Sequence, residues 1–262
     1  MAERTNRTFQ KPVSWPAGYT PIVRLLQHHI SGPDPCPYLP GRNSATETLL
    51  MTGVAPAELE RLLERGWRRF GPVYFRPVCL GCQECVSVRV PVKSFAPSPN
   101  LKRVARRAAR LRVEVGQPVV DEQRLALYRR WHENREEERG WRPDRIGAES
   151  YSMQFCFPHP AAREFTYWDG DQLVGVGIAD ETPGAISAVY CFHDPDLAEL
   201  SIGTYNVLRT IEYARDRGLA QVYLGFRVEG CASLRYKGRF LPQERLSSRV
   251  EDDQEPRWER IE

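Results

Sequence analysis

Glu164–Glu181 reads EFTYWDGDQLVGVGIADE. Two apolar runs flank Asp169-Gly170, a dipeptide suited to a tight hairpin because glycine adopts positive φ without steric cost. The stretch predicts two strands joined by that turn. Toward the C-terminus, AISAVYCFHDP (185–195) reads as a third strand ending in a turn. A helix follows over about residues 198–218. Leu208, Ile211 and Ala214 or Arg215 recur at helical spacing, and Gly218 stands just past its end. QVYLGF (221–226) reads as a buried strand. RVEGCASLRYKGRFLP (227–242) mixes glycines with Arg227, Arg235, Lys237 and Arg239. The tail, EDDQEPRWERIE, is polar and expected to fray.

Toward the N-terminus of the hairpin, DEQRLALYRRWHENREEERG (121–140) predicts an amphipathic helix. Asp121 is its cap, Leu125, Tyr128 and Trp131 or His132 its inner face, and Gly140 its stop. GAESYSMQFCF (147–157) is a second helix or a loop. Helices and strands thus intermix over residues 116–262, which predicts an α+β domain.

Residues 1–115 read differently. Residues 1–21 are a polar, proline-bearing arm. Ile22–Ile30 is a short strand or helical turn carrying His28 and His29. SGPDPCPYLPGR (31–42) is an ordered loop presenting Cys36, Tyr38 and Arg42. NSATETLLMTG (43–53) predicts a strand, and APAELERLLERGWRRF (55–70) a helix with Leu59, Leu62, Leu63 and Trp67 in the core. After Gly71-Pro72 comes FRPVCLGCQECVSVRV (75–90), with Cys79, Cys82 and Cys85 at two-residue gaps and a strand at its end. Four of the seven cysteines therefore fall in the first third of the chain. The odd count speaks against a complete disulfide framework. Cys36, Cys79, Cys82 and Cys85 together would suit zinc or an iron–sulfur cluster equally. A thiol-lined pocket without metal and plain packing are the alternatives. Cys156, Cys191 and Cys231 sit in apolar contexts and are expected to be buried thiols. The first 115 residues thus form a smaller, cysteine-containing N-terminal domain.

Past SFAPSPN (94–100), a linker by composition, Lys102, Arg103, Arg106, Arg107, Arg110 and Arg112 fall within eleven residues. On a helix the first five make one basic band, either a solvated face or a surface for phosphates. Over 262 residues the net charge is only +3 and the pI about 8.5, so nucleic acid is permitted as a partner, not required. There is no apolar run of transmembrane length and no signal-peptide apolar core, which points to the cytoplasm and to no membrane partner. There is no P-loop motif either, so no ATP site is expected.

The order of elements in the second half resembles the GCN5-related N-acetyltransferase (GNAT) fold. In coenzyme-A-using members a Q/R-x-x-G-x-G/A turn opens the long helix. Here the corresponding LAELSIGTYN retains only Gly203. Jointly, CPYLPGR, FRPVCLGCQECVSVRV, YWDGDQLVGVGIAD, YLGF and RYKGRFLP closely resemble the bacterial arginyltransferase-like family, and within it the aspartate/glutamate leucyltransferases. The likeness covers about residues 20–245. It implies an aminoacyltransferase that takes leucine from leucyl-tRNA, adds it to proteins beginning with Asp or Glu, and directs them to degradation by the N-end rule pathway. No cofactor is required, and DNA is no partner. Eukaryotic relatives carry a C-x-x-C and a vicinal cysteine pair implicated in iron–sulfur binding. Here Leu39 replaces the second cysteine of the first motif, and Cys79, Cys82 and Cys85 replace the pair.

The implied reaction is aminolysis of an ester already activated. It needs a deprotonated α-amine, orientation and oxyanion donors. Asp180, Tyr190 and Tyr236 are the catalytic candidates, with Glu181 and His193 also polar near the expected cleft. An acidic acceptor residue calls for guanidinium groups. Cys36, Tyr38, Arg42, Arg76, Cys82, Cys85 and Arg89 are the acceptor-side residues, Arg76 and Arg89 being the favoured pair. Lys102, Arg103, Arg106, Arg107, Arg110, Lys237 and Arg239 are the tRNA contacts, and Tyr223 or Tyr236 could stack on the terminal adenine. The competing readings are a coenzyme-A-dependent N-acyltransferase and a non-catalytic, metal-stabilised RNA-binding module.

Overall fold

The computed structural model describes residues 23–140, 147–251 and 253–262. The arm expected over residues 1–21 lies outside them. Four antiparallel strands make a small sheet: β1 (Arg24–Pro35), β2 (Asn43–Thr52), β3 (Arg68–Phe70) and β4 (Val73–Pro77), in the order β1-β2-β4-β3. Helix α1 (Pro56–Glu64) lies between β2 and β3. It is shorter than the sixteen-residue stretch suggested, because Gly66 adopts φ +82° and turns the chain. Arg68 and Arg69 are therefore buried strand residues, not the basic end of a helix. β1 likewise runs through Ser31–Pro35, which the proline content marks as loop.

The second sheet has eight strands. Its elements are β5 (Val86–Pro91), α2 (Pro99–Ala108), β6 (Arg112–Gly116), α3 (Glu122–Arg139), α4 (Ala148–Phe155), β7 (Ala162–Asp169), β8 (Gln172–Glu181), β9 (Ala185–His193), α5 (Ile202–Asp216), β10 (Gln221–Arg227), α6 (Ala232–Arg235), β11 (Gln243–Leu246) and β12 (Trp258–Ile261). The strand order is β12-β11-β5-β10-β9-β8-β7-β6. The arrangement is mixed α+β with two sheets. β5 precedes residue 116 and β6 (Arg112–Gly116) straddles it, so the large sheet reaches back across the expected division of the chain. The cysteine stretch spans both sheets, β4 in one and β5 in the other. The tail does not fray: β12 pairs with β11, and the Trp258 indole N–H donates to the carbonyl of Glu64 (3.2 Å).

The local signals explain most elements. Asp121 caps α3 by accepting the Arg124 N–H (2.9 Å), and Gly140 ends it in the left-handed region. Ser98 caps α2, so the expected linker is partly the start of a helix. α2 and α5 cover one face of the large sheet, with Leu101, Ile202, Leu208 and Ile211 against Val88, Phe165, Tyr167 and Val222. α3 and α4 contribute Leu125, Tyr128, Tyr151 and Phe155 to a second core cluster with Val176, Ile178 and Phe192. Between Val176 and Ile178, Gly177 lets α5 approach. A Cβ there would lie 1.9 Å from Asn206 Oδ1, which accepts the Tyr167 hydroxyl at 2.8 Å. Among the described residues no helix is long and apolar enough to cross a membrane.

Candidate active site

β9 and β10 are parallel neighbours for only three positions, Ala185–Ser187 against Gln221–Tyr223. Beyond them β9 stays with β8 and β10 stays with β5. Each strand then carries a register shift, at Val189 against β8 and at Leu224 against β5. Bulges of this kind break the ladder and re-aim side chains, and they concentrate beside active sites. The result is a notch in the centre of the large sheet.

The small sheet fills that notch with a cation. Arg68 projects from β3, and its guanidinium donates to Ser187 Oγ (2.7 Å) and to the Ala188 carbonyl. It lies over Gly225, which has φ +79° and where a Cβ would meet the guanidinium at 3.2 Å. One residue along β10, the Phe226 carbonyl accepts the Lys237 ammonium at 2.8 Å. Lys237 comes from a single 3-10 turn, Tyr236–Arg239. Burial, then the charge of Arg68, lowers Lys237 to about 7. Burial lowers Arg68 itself to about 10, with Asp180 opposing. Among the described residues neither cation has a carboxylate within ion-pair distance.

Phenols flank the same strands. The Tyr190 hydroxyl is 3.4 Å from His132 Nε2, and its ring packs on Phe70 and Phe155. Burial pushes Tyr190 up to about 12 and raises Tyr236 further. Both phenols are therefore protonated near neutral pH, so neither is a base. Asp180 is no base either. It is 1% exposed and is gripped by Arg69, whose Nε lies 3.1 Å from Oδ2. Glu181 is engaged by Arg163 (2.7 Å), Arg217 and Tyr213. Burial lowers His193 to about 4.

The acceptor-side residues divide. Arg76 Nε donates to Glu47 (2.6 Å) and Nη1 to the Val250 carbonyl (2.7 Å), and its guanidinium lies over Trp67. Arg89 is held by Glu244 (2.6 Å) and the Tyr223 hydroxyl (3.1 Å), over Trp258. The favoured pair is thus already neutralised. Tyr223, 3% exposed, belongs to that stack and is no platform for a base. Arg42 is exposed and reaches the Cys82 sulfur at 3.6 Å. His28 bonds Glu47.

The cysteines do converge. The loop closed by Cys36 N–H on the Arg42 carbonyl (2.9 Å) sets Leu39 against Gly230, next to Cys231. Cys36, Cys79, Cys82 and Cys231 all act electrostatically on Cys85, which burial above all pushes up to about 12. Tyr38 stands among them and is also raised to about 12, mainly by burial. Cys231 therefore joins the cluster. Cys156, Cys191 and Cys231 are each only partly buried. As a zinc or iron–sulfur site the residues do not fit. Cys79 Sγ is engaged with the Ala45 backbone (3.4 and 3.6 Å), and among the described residues no three His, Cys, Asp or Glu are placed to hold a metal ion. The cluster instead borders a cavity of about 410 Å³ lined by Cys79, Cys82, Cys85, Arg76, Ser87 and Phe226.

The basic segment also divides. Arg110 lies beyond the end of α2 and pairs with Asp169 (2.8 Å). Lys102 and Arg106 are exposed on the helix. Arg103 and Arg107 line a cavity of about 640 Å³ with Arg239, Ser98, Ser201 and Thr204, at the N-terminus of α5. Among the described residues no Asp or Glu lines it. Lys237, two residues before Arg239 in the same turn, is held at the notch by the Phe226 carbonyl and is not part of this cavity's lining. Arg68 was not anticipated as a functional residue, though Gly66, a helix stop two residues before it, was the signal available.

Two family models match the chain: "Arginine-tRNA-protein transferase, N terminus" over residues 34–103 and "Arginine-tRNA-protein transferase, C terminus" over 123–247. The Helicobacter hepaticus aspartate/glutamate leucyltransferase is 34% identical over 238 residues, covering 90% of this chain and 98% of its own. The enzyme of the same name from Afipia carboxidovorans is 35% identical, covering 84% and 90%. The chain belongs to the aspartate/glutamate leucyltransferase family, aminoacyltransferases of the arginine-tRNA-protein transferase type. Among solved structures, L-PGS from Bacillus licheniformis aligns over 65% of this chain and 50% of its own at TM-score 0.42 and 14% identity. FemX aligns over 64% and 59% at TM-score 0.41 and 10% identity.

Proposed function

We propose that this aminoacyltransferase moves leucine from leucyl-tRNA to the α-amine of proteins beginning with Asp or Glu, in the cytoplasm, marking them for N-end rule degradation. The observation that carries the donor side is the cavity at the start of α5. Three guanidiniums from two separate segments converge there with three hydroxyl side chains and, among the described residues, no carboxylate. Helix N-termini and arginines both favour phosphate. Lys102 and Arg106 extend the basic face along α2.

The reaction is placed at the notch on a GNAT-like core. The free α-amine attacks the ester carbonyl of leucyl-tRNA. A C–N bond forms, the C–O bond to the terminal ribose breaks, and a proton from the attacking nitrogen passes to the departing ribose oxygen. An α-amine of pKa about 7.7–8.0 is partly free at neutral pH, so positioning matters more than a strong base. In this reading Tyr190 and Tyr236, both protonated, are the donors to the developing oxyanion. The thiol-lined cavity bounded by Cys79, Cys82 and Cys85, with Arg42 at its exposed side, is the approach for the acceptor chain.

The test mixes the protein with leucyl-tRNA and peptides beginning Asp, Glu, Arg or Lys and reads mass gain. Leucine on only the acidic peptides is expected. Transfer to Arg or Lys peptides, or acetyl transfer from acetyl coenzyme A without tRNA, overturns the reading.

A further inference from the structure

Buried charges in proteins are ordinarily paired, because an uncompensated ion loses its hydration without return. Most buried arginines here obey this. Arg69 has Asp180, Arg76 has Glu47, and Arg124 has Glu164 at 2.6 Å. Arg68 breaks the pattern. It is 8% exposed and its polar partners are a serine hydroxyl and a backbone carbonyl. Lys237 breaks it in the same place, with a carbonyl as its acceptor. The two sit on consecutive residues of β10, Arg68 over Gly225 and Lys237 on Phe226.

The surroundings say where the missing anion comes from. Phe226 and Cys85 line the 410 Å³ cavity, and Cys85 acts electrostatically on Lys237. Neither cation lines that cavity, but Lys237 sits on the carbonyl of its lining residue Phe226, so the pair lies directly behind that wall of the thiol-lined approach. It also lies where β9 and β10 part, the position assigned above to the reaction.

We propose that Arg68 and Lys237 are the specificity-determining residues of the acceptor site, together binding the side-chain carboxylate of an N-terminal Asp or Glu. The proposal rests on the transferase reading above and deepens it. A carboxylate supplies the charge that both cations lack, and Arg68 offers it a planar set of N–H donors. The neutral amides Asn and Gln have the same shape but leave the buried Arg68 and the half-buried Lys237 uncompensated, so they are rejected on charge. A bound carboxylate opposes both effects that lower Lys237, burial first and then the charge of Arg68. Of the arginines found already paired, Arg76 then shapes the cavity wall without reading the substrate, and Arg89 is not part of its lining.

The experiment measures leucine transfer from leucyl-tRNA to matched peptides beginning Asp and Asn. It uses the full chain and its Arg68→Gln and Lys237→Gln variants. The Asp-over-Asn ratio of kcat/KM is taken within each preparation, which cancels the folded fraction. Losing one partner of a buried charge pair predicts a fall of at least about 30-fold in that ratio for either variant, from weaker Asp transfer together with Asn transfer that rises as one uncompensated cation is removed. Equal losses for Asp and Asn, or an unchanged ratio, overturn the proposal. A second readout needs no variant. Lys11, Lys93, Lys102 and Lys237 are the chain's four lysines, so Lys237 is assignable in a lysine-labelled NMR spectrum. Its signal should move toward the charged form with the Asp peptide and stay with the Asn peptide. No movement with Asp sinks the assignment. If the unmodified protein transfers leucine to no acidic peptide at all, the transferase reading itself fails, an outcome distinct from these.

Discussion

The Arg69 guanidinium of the small sheet grips the Asp180 carboxylate of the large sheet, with both side chains almost fully buried. This pair sets the position of β3, and through β3 it aims the neighbouring Arg68 into the notch. Asp180→Ala leaves Arg69 buried without its counter-ion and should destabilise the fold by about 3–5 kcal/mol. Urea denaturation measures this. A loss under about 1 kcal/mol would show that the contact does not hold the sheets together.

His159 lies in the same junction. Its Nδ1 accepts the Ala161 N–H (3.1 Å), so the neutral ring carries its proton on Nε2, facing the Tyr74 hydroxyl (3.3 Å). Burial, then Arg69, lowers it from 6.5 to about 4. The unfolded chain takes up a proton near pH 6.5 that the folded chain refuses until about 4. Stability should fall as pH drops through that window. His159→Gln should flatten part of the slope in a series of melting curves from pH 7 to 4.5. An unaltered slope would place the effect elsewhere, His193 being the other depressed ring.

Charged tRNA should bind with a salt dependence set by the basic cavity. Arg103→Ala and Arg107→Ala should each lower the slope of log K against log salt by about 0.7–0.9. Arg110→Ala should leave it nearly unchanged, because that guanidinium is held by Asp169. Filter binding across a salt series reads all three. A larger effect from Arg110 than from Arg107 would move the phosphate path off the cavity.

Cys85 should be slow to alkylate. Its thiol is held near 12, chiefly by burial and then by the neighbouring cysteines. At pH 8 that leaves roughly a thousand-fold less thiolate than an ordinary cysteine has. Timed iodoacetamide labelling followed by peptide mass spectrometry tests this. Labelling at the rate of the urea-unfolded chain would contradict it.

Gly177→Ala should cost about 1–3 kcal/mol, because the new methyl meets Asn206 and displaces its bond from Tyr167. Thermal melts measure the loss. Gly170→Ala, where nothing lies within 4 Å, separates this overlap from the backbone strain of a positive φ.

Elements with local punctuation were legible in the sequence. The Asp169-Gly170 hairpin, the Asp121 cap and Gly140 stop of α3, and Gly218 beyond α5 are each set by residues within a few positions. The helix expected over 55–70 failed for a local reason passed over, Gly66. The tail failed for a distant one. Its polar residues give no hint that Trp258 covers Arg89 and Tyr223. The site was legible in part: the cysteines of two separate motifs do converge, and Arg103, Arg107 and Arg239 do share a cavity.

By itself the sequence determined the local elements, the family motifs and the supply of cations. Which cations are available for a substrate was decided by the tertiary structure alone. Arg76 is neutralised by a residue 29 positions away, Arg89 by one 155 away, and Asp180 by one 111 away. Arg68 and Lys237, remote in sequence, are brought to consecutive residues of one strand. Charge compensation acts over a few ångströms of space. Neighbourhood along the chain cannot reveal it, because the partners are chosen by how the two sheets dock.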